Sequence, residues 1–432
     1  MILQPRAVDA FDEGARMQLS SRPGRAERQI EREGVVRMSQ LSFQQSSLPP
    51  EYESLLQRLG RKDTTLETLD LSHAKPAAGD AESLYYLGMA GTGRFAAAIS
   101  ASGGSVFHLN IGGHRLCDEG AMKIADMLAM NVSLRSLDLT CNKIHAAGAL
   151  KLADALLVNT ILTDLVLADN SIGDDGASAV AETLKSNTSL VSLVLCGIGM
   201  GDEGGGTIAH ALSYNSSLRS LDLGFNWLEN QAAADLGAAL VANSHLQALQ
   251  LNNNEMGAKG VGLLAAGLAL NSALTALALS CNALGNKGGT GMADALRTNT
   301  TLVHLSLDNT GAGDAAAAAL AQVLVLNTTL TSLNLAHCLL SDAGGQSLAG
   351  ALKPNNTLLR LDLSANALGE GGVVAIGQVL RHWPFPEDLV ILGVAFSLYW
   401  AALGLPAEEE AEAQILKSSL CYGFSIVHVL GR

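Results

Sequence analysis

The chain has 432 residues and is 48% apolar, enough for two or three ordinary domains or for one long repeat array. Its net charge of −14 is uneven: residues 1–62 hold ten Lys/Arg against eight Asp/Glu, and the rest hold seventeen against thirty-three. So acidic a body disfavours nucleic acid and anionic membrane as main partners, and 4% aromatics beside 45 glycines point to closely stacked small elements rather than one irregular core.

Residues 1–37 are Arg-rich, mixed in charge and without strong periodicity, and read as a flexible N-terminal segment. The opening MILQPRAVDAFDEGAR has no apolar run of signal-peptide length. Cys117, Cys141, Cys196, Cys281, Cys338 and Cys421 form no CxxC and no metal-ligand spacing, so reduced thiols and a cytoplasmic location are expected. Residues 38–105 read as degenerate N-terminal repeats. Leu66, Leu69 and Leu71 form LxxLxL, and Met38, Leu41 and Phe43 look like a degraded copy 28 residues earlier. An insert of 12 residues beyond one period then separates Leu66 from Val106; it brings Tyr85, Tyr86 and the run GMAGTG. That run lacks the Lys-Ser/Thr and the preceding buried strand of a phosphate loop, and reads as an elongated loop.

Residues 106–382 read as ten regular repeats. Val106 opens a series continued by Leu134, Leu162, Leu190, Leu218, Leu246, Leu274, Leu302, Leu330 and Leu358 at 28-residue intervals, each heading LxxLxL. Alternating leucines share one face of a short strand, and a long crossover to the next copy allows parallel pairing. The crossover reads as a helix, because apolar residues recur at i, i+4: Leu152 and Leu156, Val180 and Leu184, Ile208 and Leu212. Asp174, Asp202, Asn230, Asn286, Asp314 and Asp342 recur where each helix should begin and are expected to cap its free amides. Asn131, Asn159, Asn187, Asn215, Asn243, Asn271, Asn299, Asn327 and Asn355 follow the helices and read as left-handed terminators. Several head N-x-S/T sequons, such as Asn187-Thr-Ser, which the repeat itself explains without glycosylation.

The rule breaks at residues 383–432, which read as a C-terminal cap, with Leu389, Leu392 and Val394 echoing the strand pattern, or as a hydrophobic tail. The second reading of the 17 uncharged residues 389–405 is a short membrane segment, which is not favoured.

A further row, Asn142, Asn170, Asn226, Asn254, Asn282 and Asn366, follows the strands and completes LxxLxLxxN. With its 28-residue length this pattern resembles the leucine-rich repeat of the ribonuclease-inhibitor type, carried also by NOD-like receptors and the Ran GTPase-activating protein. The resemblance implies an α/β solenoid, a horseshoe with a parallel concave sheet and convex helices. It also implies that these asparagines form a hydrogen-bonded ladder between repeats. His114, Ile198, Thr310 and Cys338 depart from that row. Cys is a family substitute, whereas the Ile198 side chain cannot hydrogen-bond, so the ladder should be weakest there.

No GxSxG, HExxH, Walker A or EF-hand pattern occurs, so no catalytic, cofactor-binding or metal site is assigned. The expected function is a protein-interaction scaffold whose partner, of unknown identity, meets the concave face and rim. Ten strands about 4.8 Å apart give an arc of about 43 Å, enough for a standard interface. The candidate contacts are Asp138, Asp222, Gln250, Asp308 and Asp362 on the strands, Arg135 and Arg219 at their flank, and Phe225 and Trp227 on the rim. The alternatives are a GTPase activator resembling the Ran regulator, without its long acidic tail, and a membrane-tethered recognition protein using residues 389–405.

Overall fold

The computed structural model describes residues 35–37, 50–72, 87–381 and 390–392, which divide between two compact units, Met1–Trp227 and Leu228–Arg432. Residues 1–34, Tyr85 and Tyr86, the Met38, Leu41 and Phe43 set, and most of 389–405 lie outside the described residues.

The first unit stacks strand–helix repeats. Its strands are β1 (Val35–Arg37), β2 (Thr68–Asp70), β3 (His108–Asn110), β4 (Ser136–Asp138), β5 (Asp164–Val166), β6 (Ser192–Val194) and β7 (Ser220–Asp222). They pair in chain order, all parallel. Between them run α1 (Pro50–Gly60), α2 (Gly88–Ala101), α3 (Cys117–Met130), α4 (Ala146–Val158) and α5 (Gly173–Leu184); α6 (Asp202–Leu212) lies between β6 and β7. Leu69 faces Val36 in the neighbouring strand, not Leu41 as the extrapolated period would have it.

The second unit repeats the plan with β8 (Ala248–Gln250), β9 (Ala276–Ala278), β10 (His304–Ser306), β11 (Ser332–Asn334), β12 (Arg360–Asp362) and β13 (Val390–Leu392). These too are parallel and in chain order. Its helices are α7 (Asn230–Ala242), α8 (Ala258–Leu270), α9 (Gly285–Leu296), α10 (Gly313–Leu324), α11 (Asp342–Leu352) and α12 (Glu370–Arg381). Each unit is therefore an α/β solenoid of 28-residue repeats, as the leucine spacing requires.

The core is the leucine register itself. Leu134, Leu137 and Leu139 are fully buried, as are Leu152 on α4 and the equivalent residues of later repeats. Each such side chain contributes about 2 kcal/mol by leaving water. Small residues let helices close on one another: a methyl group on Gly267 would collide with the Gly237 carbonyl oxygen, so α7 and α8 meet backbone to backbone.

Three local expectations are corrected. GMAGTG is not a loop; it opens α2, because Phe95, Ala96 and Ile99 bury one face of that segment. The acceptors at the helix starts do not cap their own helices. Asp174 Oδ1 accepts from the amides of Gly201 (2.8 Å) and Gly204 (2.9 Å), at the start of the next helix. Asp118 does the same for His145 and Gly148, Asn230 for Gly257 and Gly260, and Asp314 for Ser341 and Gly344. Stacked helix starts bring the next repeat's amides closer to each carboxylate than its own, so the cap becomes a bond between repeats. Finally, the asparagines after the helices are not left-handed: Asn131, Asn159, Asn243 and Asn271 are extended, with φ between −84° and −75°. Asn159 Nδ2 donates to the carbonyls of Leu128 (2.7 Å) and Asn131 (3.0 Å), while its Oδ1 accepts from the Leu162 amide (2.8 Å). This makes a second ladder, which satisfies helix-end carbonyls of the preceding repeat. Asn187 belongs to it, buried and donating to Leu156 O at 2.8 Å, so its sequon is occupied by structure.

The ladder after the strands follows the expected pattern. Asn170 Oδ1 accepts from the amides of Asn142 (2.9 Å) and Ile144 (3.0 Å), and its Nδ2 donates to the carbonyls of Leu139 (3.0 Å) and Leu167 (2.9 Å). Two departures keep the function by other atoms: His114 Nε2 lies 2.6 Å from Leu71 O, and Cys338 Sγ donates to Leu307 O at 3.0 Å. Thr310 donates within its own repeat, to Leu307 O at 2.6 Å, and its hydroxyl lies 3.7 Å from Cys338 Sγ in the next repeat. Ile198 is fully buried and brings no polar atom, so Asn170 and Ile172 receive from it no rung like the one Asn170 supplies.

Candidate functional site

The residue before each ladder position occupies the left-handed region in repeat after repeat. The column runs Gly113, Cys141, Asp169, Gly197 and Phe225 in the first unit and Asn253, Cys281, Asn309, His337 and Ala365 in the second. The chain must turn sharply there to bring the ladder residue inward, and the turn pushes the column's side chains outward. Gly, Asn and Asp accept this geometry; for a bulky Phe it is an outlier. Phe225 nonetheless adopts φ 52° and leaves 55% of its surface exposed. Two residues on, Trp227 is 65% exposed. Its six-membered ring leans over Gly199, where a methyl group would meet Cη2 and Cζ3 at 3.9 Å. Trp227 thus packs on a neighbouring loop through one edge while presenting most of the indole to solvent.

The strand carboxylates serve the fold more than the sequence suggests. Asp138 Oδ1 accepts from the amide and the hydroxyl of Thr140, at 2.8 and 2.6 Å. Asp222 and Asp362 likewise accept from the amides of Gly224 and Ser364, each at 2.8 Å. These are Asx turns that close the strand end. Burial pushes the Asp222 carboxyl up, against the lowering effect of the Gly224 amide. Gln250 is half-buried at the end of β8.

Asp308 is half-buried, with its Oδ1 3.1 Å from His337 Nδ1. Its carboxyl is raised, first by burial and also by the charge of Asp362, while His337 pulls it down. Arg135 is exposed and lies 5.3 Å over the Phe107 ring, a cation–π contact. Arg219 is turned onto its own chain, donating to the carbonyls of Ser216 (2.9 Å) and Ser217 (3.1 Å).

In the first unit, Phe225 and Trp227 share one turn, whereas Asp138 and Asp222 stand three strands apart, about 14 Å. In the second unit, Asp308 and Asp362 are close enough to couple electrostatically. Sequence reasoning missed Leu339, which is left-handed (φ 62°) and 74% exposed, with its Cδ1 4.0 Å from where a methyl group on Gly311 would lie. It lies four periods after Trp227, and that shared phase was the signal that could have found it. Among the described residues no cluster of three or more His, Cys, Asp or Glu could hold a metal ion, and no helix is long and apolar enough to cross a membrane.

A family model described as leucine-rich repeat matches seven segments: 131–153, 158–181, 214–237, 242–265, 270–293, 326–349 and 355–377. The regular repeats it passes over include those with His114, Ile198 and Thr310 in the ladder position. No curated protein matches the chain. Among solved structures, a chain of the yeast Rad7–Elc1 complex is 15% identical with a TM-score of 0.45, covering 79% of this chain and 87% of that one. The tropomodulin C-terminal domain of Caenorhabditis elegans is 18% identical with a TM-score of 0.31, covering 38% and 93%. Actin-binding site 2 of leiomodin-1 is 23% identical with a TM-score of 0.28, covering 30% and 76%. The seven family matches fall on the strand–helix units whose leucines form the core and whose asparagines form the ladders, and the chain is a leucine-rich-repeat protein.

Proposed function

We propose that the chain is a non-catalytic protein-interaction scaffold whose partner meets the polar strand face and the adjoining rim, with Phe225 and Trp227 as anchors. The observation that carries this reading is the pair itself: two large aromatics held in solvent on one turn, one of them in a backbone conformation that costs energy. Strain retained at an exposed position is a reason to look for function there, and Trp is among the residues that dominate interface energetics. The leucine-rich-repeat build supports a binding scaffold in general.

A partner identified by affinity capture with the full chain, then purified, provides the test. Trp227→Ala should weaken its binding at least about ten-fold, or about 1.4 kcal/mol, with the thermal melt unchanged. Unchanged affinity would remove Trp227 as an anchor.

A further inference from the structure

We infer that the rim beside Trp227 takes a cationic side chain, a Lys or Arg on an extended segment of the protein partner, held between the indole of Trp227 and the carboxylate of Asp169. The inference rests on the protein-binding reading above and narrows it to one partner chemistry.

Three consecutive repeats build the place. Asp169, Gly197 and Phe225 occupy the left-handed column with φ of 54°, 65° and 52°. The row two residues on holds Gly199, at φ 75°, and then Trp227. Both glycines are half-buried and let a neighbouring side chain approach the backbone. A methyl group on Gly197 would lie 2.8 Å from Asp169 Oδ1, and one on Gly199 would lie 3.9 Å from the Trp227 ring. The carboxylate therefore leans over one glycine and the indole over the other. Two residues of extended chain span at most about 7 Å, so acid and ring flank one short stretch of chain that a long side chain can span. Cys141 Sγ lies 3.4 Å from Asp169 Oδ2, a weak donor that steadies the carboxylate.

Charge selects the occupant. The exposed Trp face attracts a cation through its quadrupole, and Asp169 adds an ion pair to the same group. An anionic segment would meet Asp169 and a chain of net charge −14. A purely apolar side chain would use the indole and gain nothing from the exposed Asp169 carboxylate.

The experiment uses the full chain and three labelled eight-residue peptides, alternating Gly with Arg, with Glu or with Leu, followed by fluorescence anisotropy at physiological salt. The Gly/Arg peptide should bind, and the other two should bind at least about ten-fold more weakly. Trp227→Ala and Asp169→Asn should each weaken the Gly/Arg peptide about five-fold or more. Asp175→Asn, which neutralises an exposed carboxylate on α5 of the same unit, should change it less than about two-fold.

Equal loss in the Asp175 variant would mean diffuse attraction and overturn the proposal, as would indifference to Trp227→Ala or absence of Gly/Arg binding. Tight Gly/Leu binding that depends on Trp227 but not on Asp169 would overturn the cationic occupant while leaving the protein-binding reading standing. That reading fails separately, if affinity capture with the full chain returns no protein that binds it when purified.

Discussion

At the scale of single residues, two kinds of buried or strained side chain set what the repeat tolerates. A ladder asparagine works with all its hydrogen-bonding atoms at once, as Asn170 does across two repeats. Asn170→Ala leaves two amides and two carbonyls to find other partners inside the stack, and should destabilise the protein by about 3 kcal/mol in urea unfolding. A loss under about 1 kcal/mol would mean that water takes over the rung. Phe225 is the opposite case, a residue that fits its backbone badly. Glycine occupies the same column without a Cβ penalty at Gly197. Phe225→Gly should therefore raise stability by about 0.5–1 kcal/mol, the left-handed cost less the chain entropy of glycine. A lower melting temperature would show that Phe225 stabilises the fold by packing, and would weaken its reading as an anchor. Phe225 and Trp227 were legible in the sequence as aromatics in a polar row. The carboxylates were legible only as chemistry: that Asp138 and Asp362 are committed to their own turns depends on the strand end bringing an amide within 2.8 Å.

At the scale of elements, the helices are tied by carboxylates that cross from one repeat to the next. Asp314 shows what this does to stability with pH. Burial alone would raise its carboxyl, but hydrogen bonds from the Ser341 hydroxyl and amide and the Gly344 amide outweigh that and hold it below the ordinary carboxylate value. A depressed folded pKa stabilises the fold fully above the unfolded value of about 3.9, and the contribution is lost as pH falls through the lower folded value. Melting temperatures of the wild type and Asp314→Asn should therefore differ at pH 7 and converge below about pH 4. A gap that stays constant down to pH 3 would show that ionisation plays no part. The acceptor row at the helix starts was legible as a row of caps. Which helix each residue caps was not, because that depends on how far apart stacked helices lie.

At the scale of the whole molecule, stability is spread over like interfaces between neighbouring repeats. Removing residues 159–186, one full period of 28, joins strand to helix in the original phase. The shortened chain should keep the same helix content per residue by circular dichroism and a cooperative melt. Removing residues 159–172, half a period, puts helix where strand should be and should abolish the cooperative transition. Equal tolerance of both deletions would overturn the view that phase holds the molecule together.

The period, the parallel strands and the leucine core were written in the sequence, because each is a local alternation, of two in a strand and of 3.6 in a helix, restated in every copy. The tertiary structure alone decided the cross-repeat partners of the ladder asparagines and helix-start acceptors, since those partners lie 26 to 31 residues away in the adjoining repeat. It decided that GMAGTG is helical, that the second asparagine row is extended, and that Phe225, Trp227 and Leu339 stand in solvent. The physical reason is one of range: a side chain's periodicity is set by its own few neighbours, whereas its hydrogen bonds and its exposure are set by the distance at which whole repeats come to rest on each other.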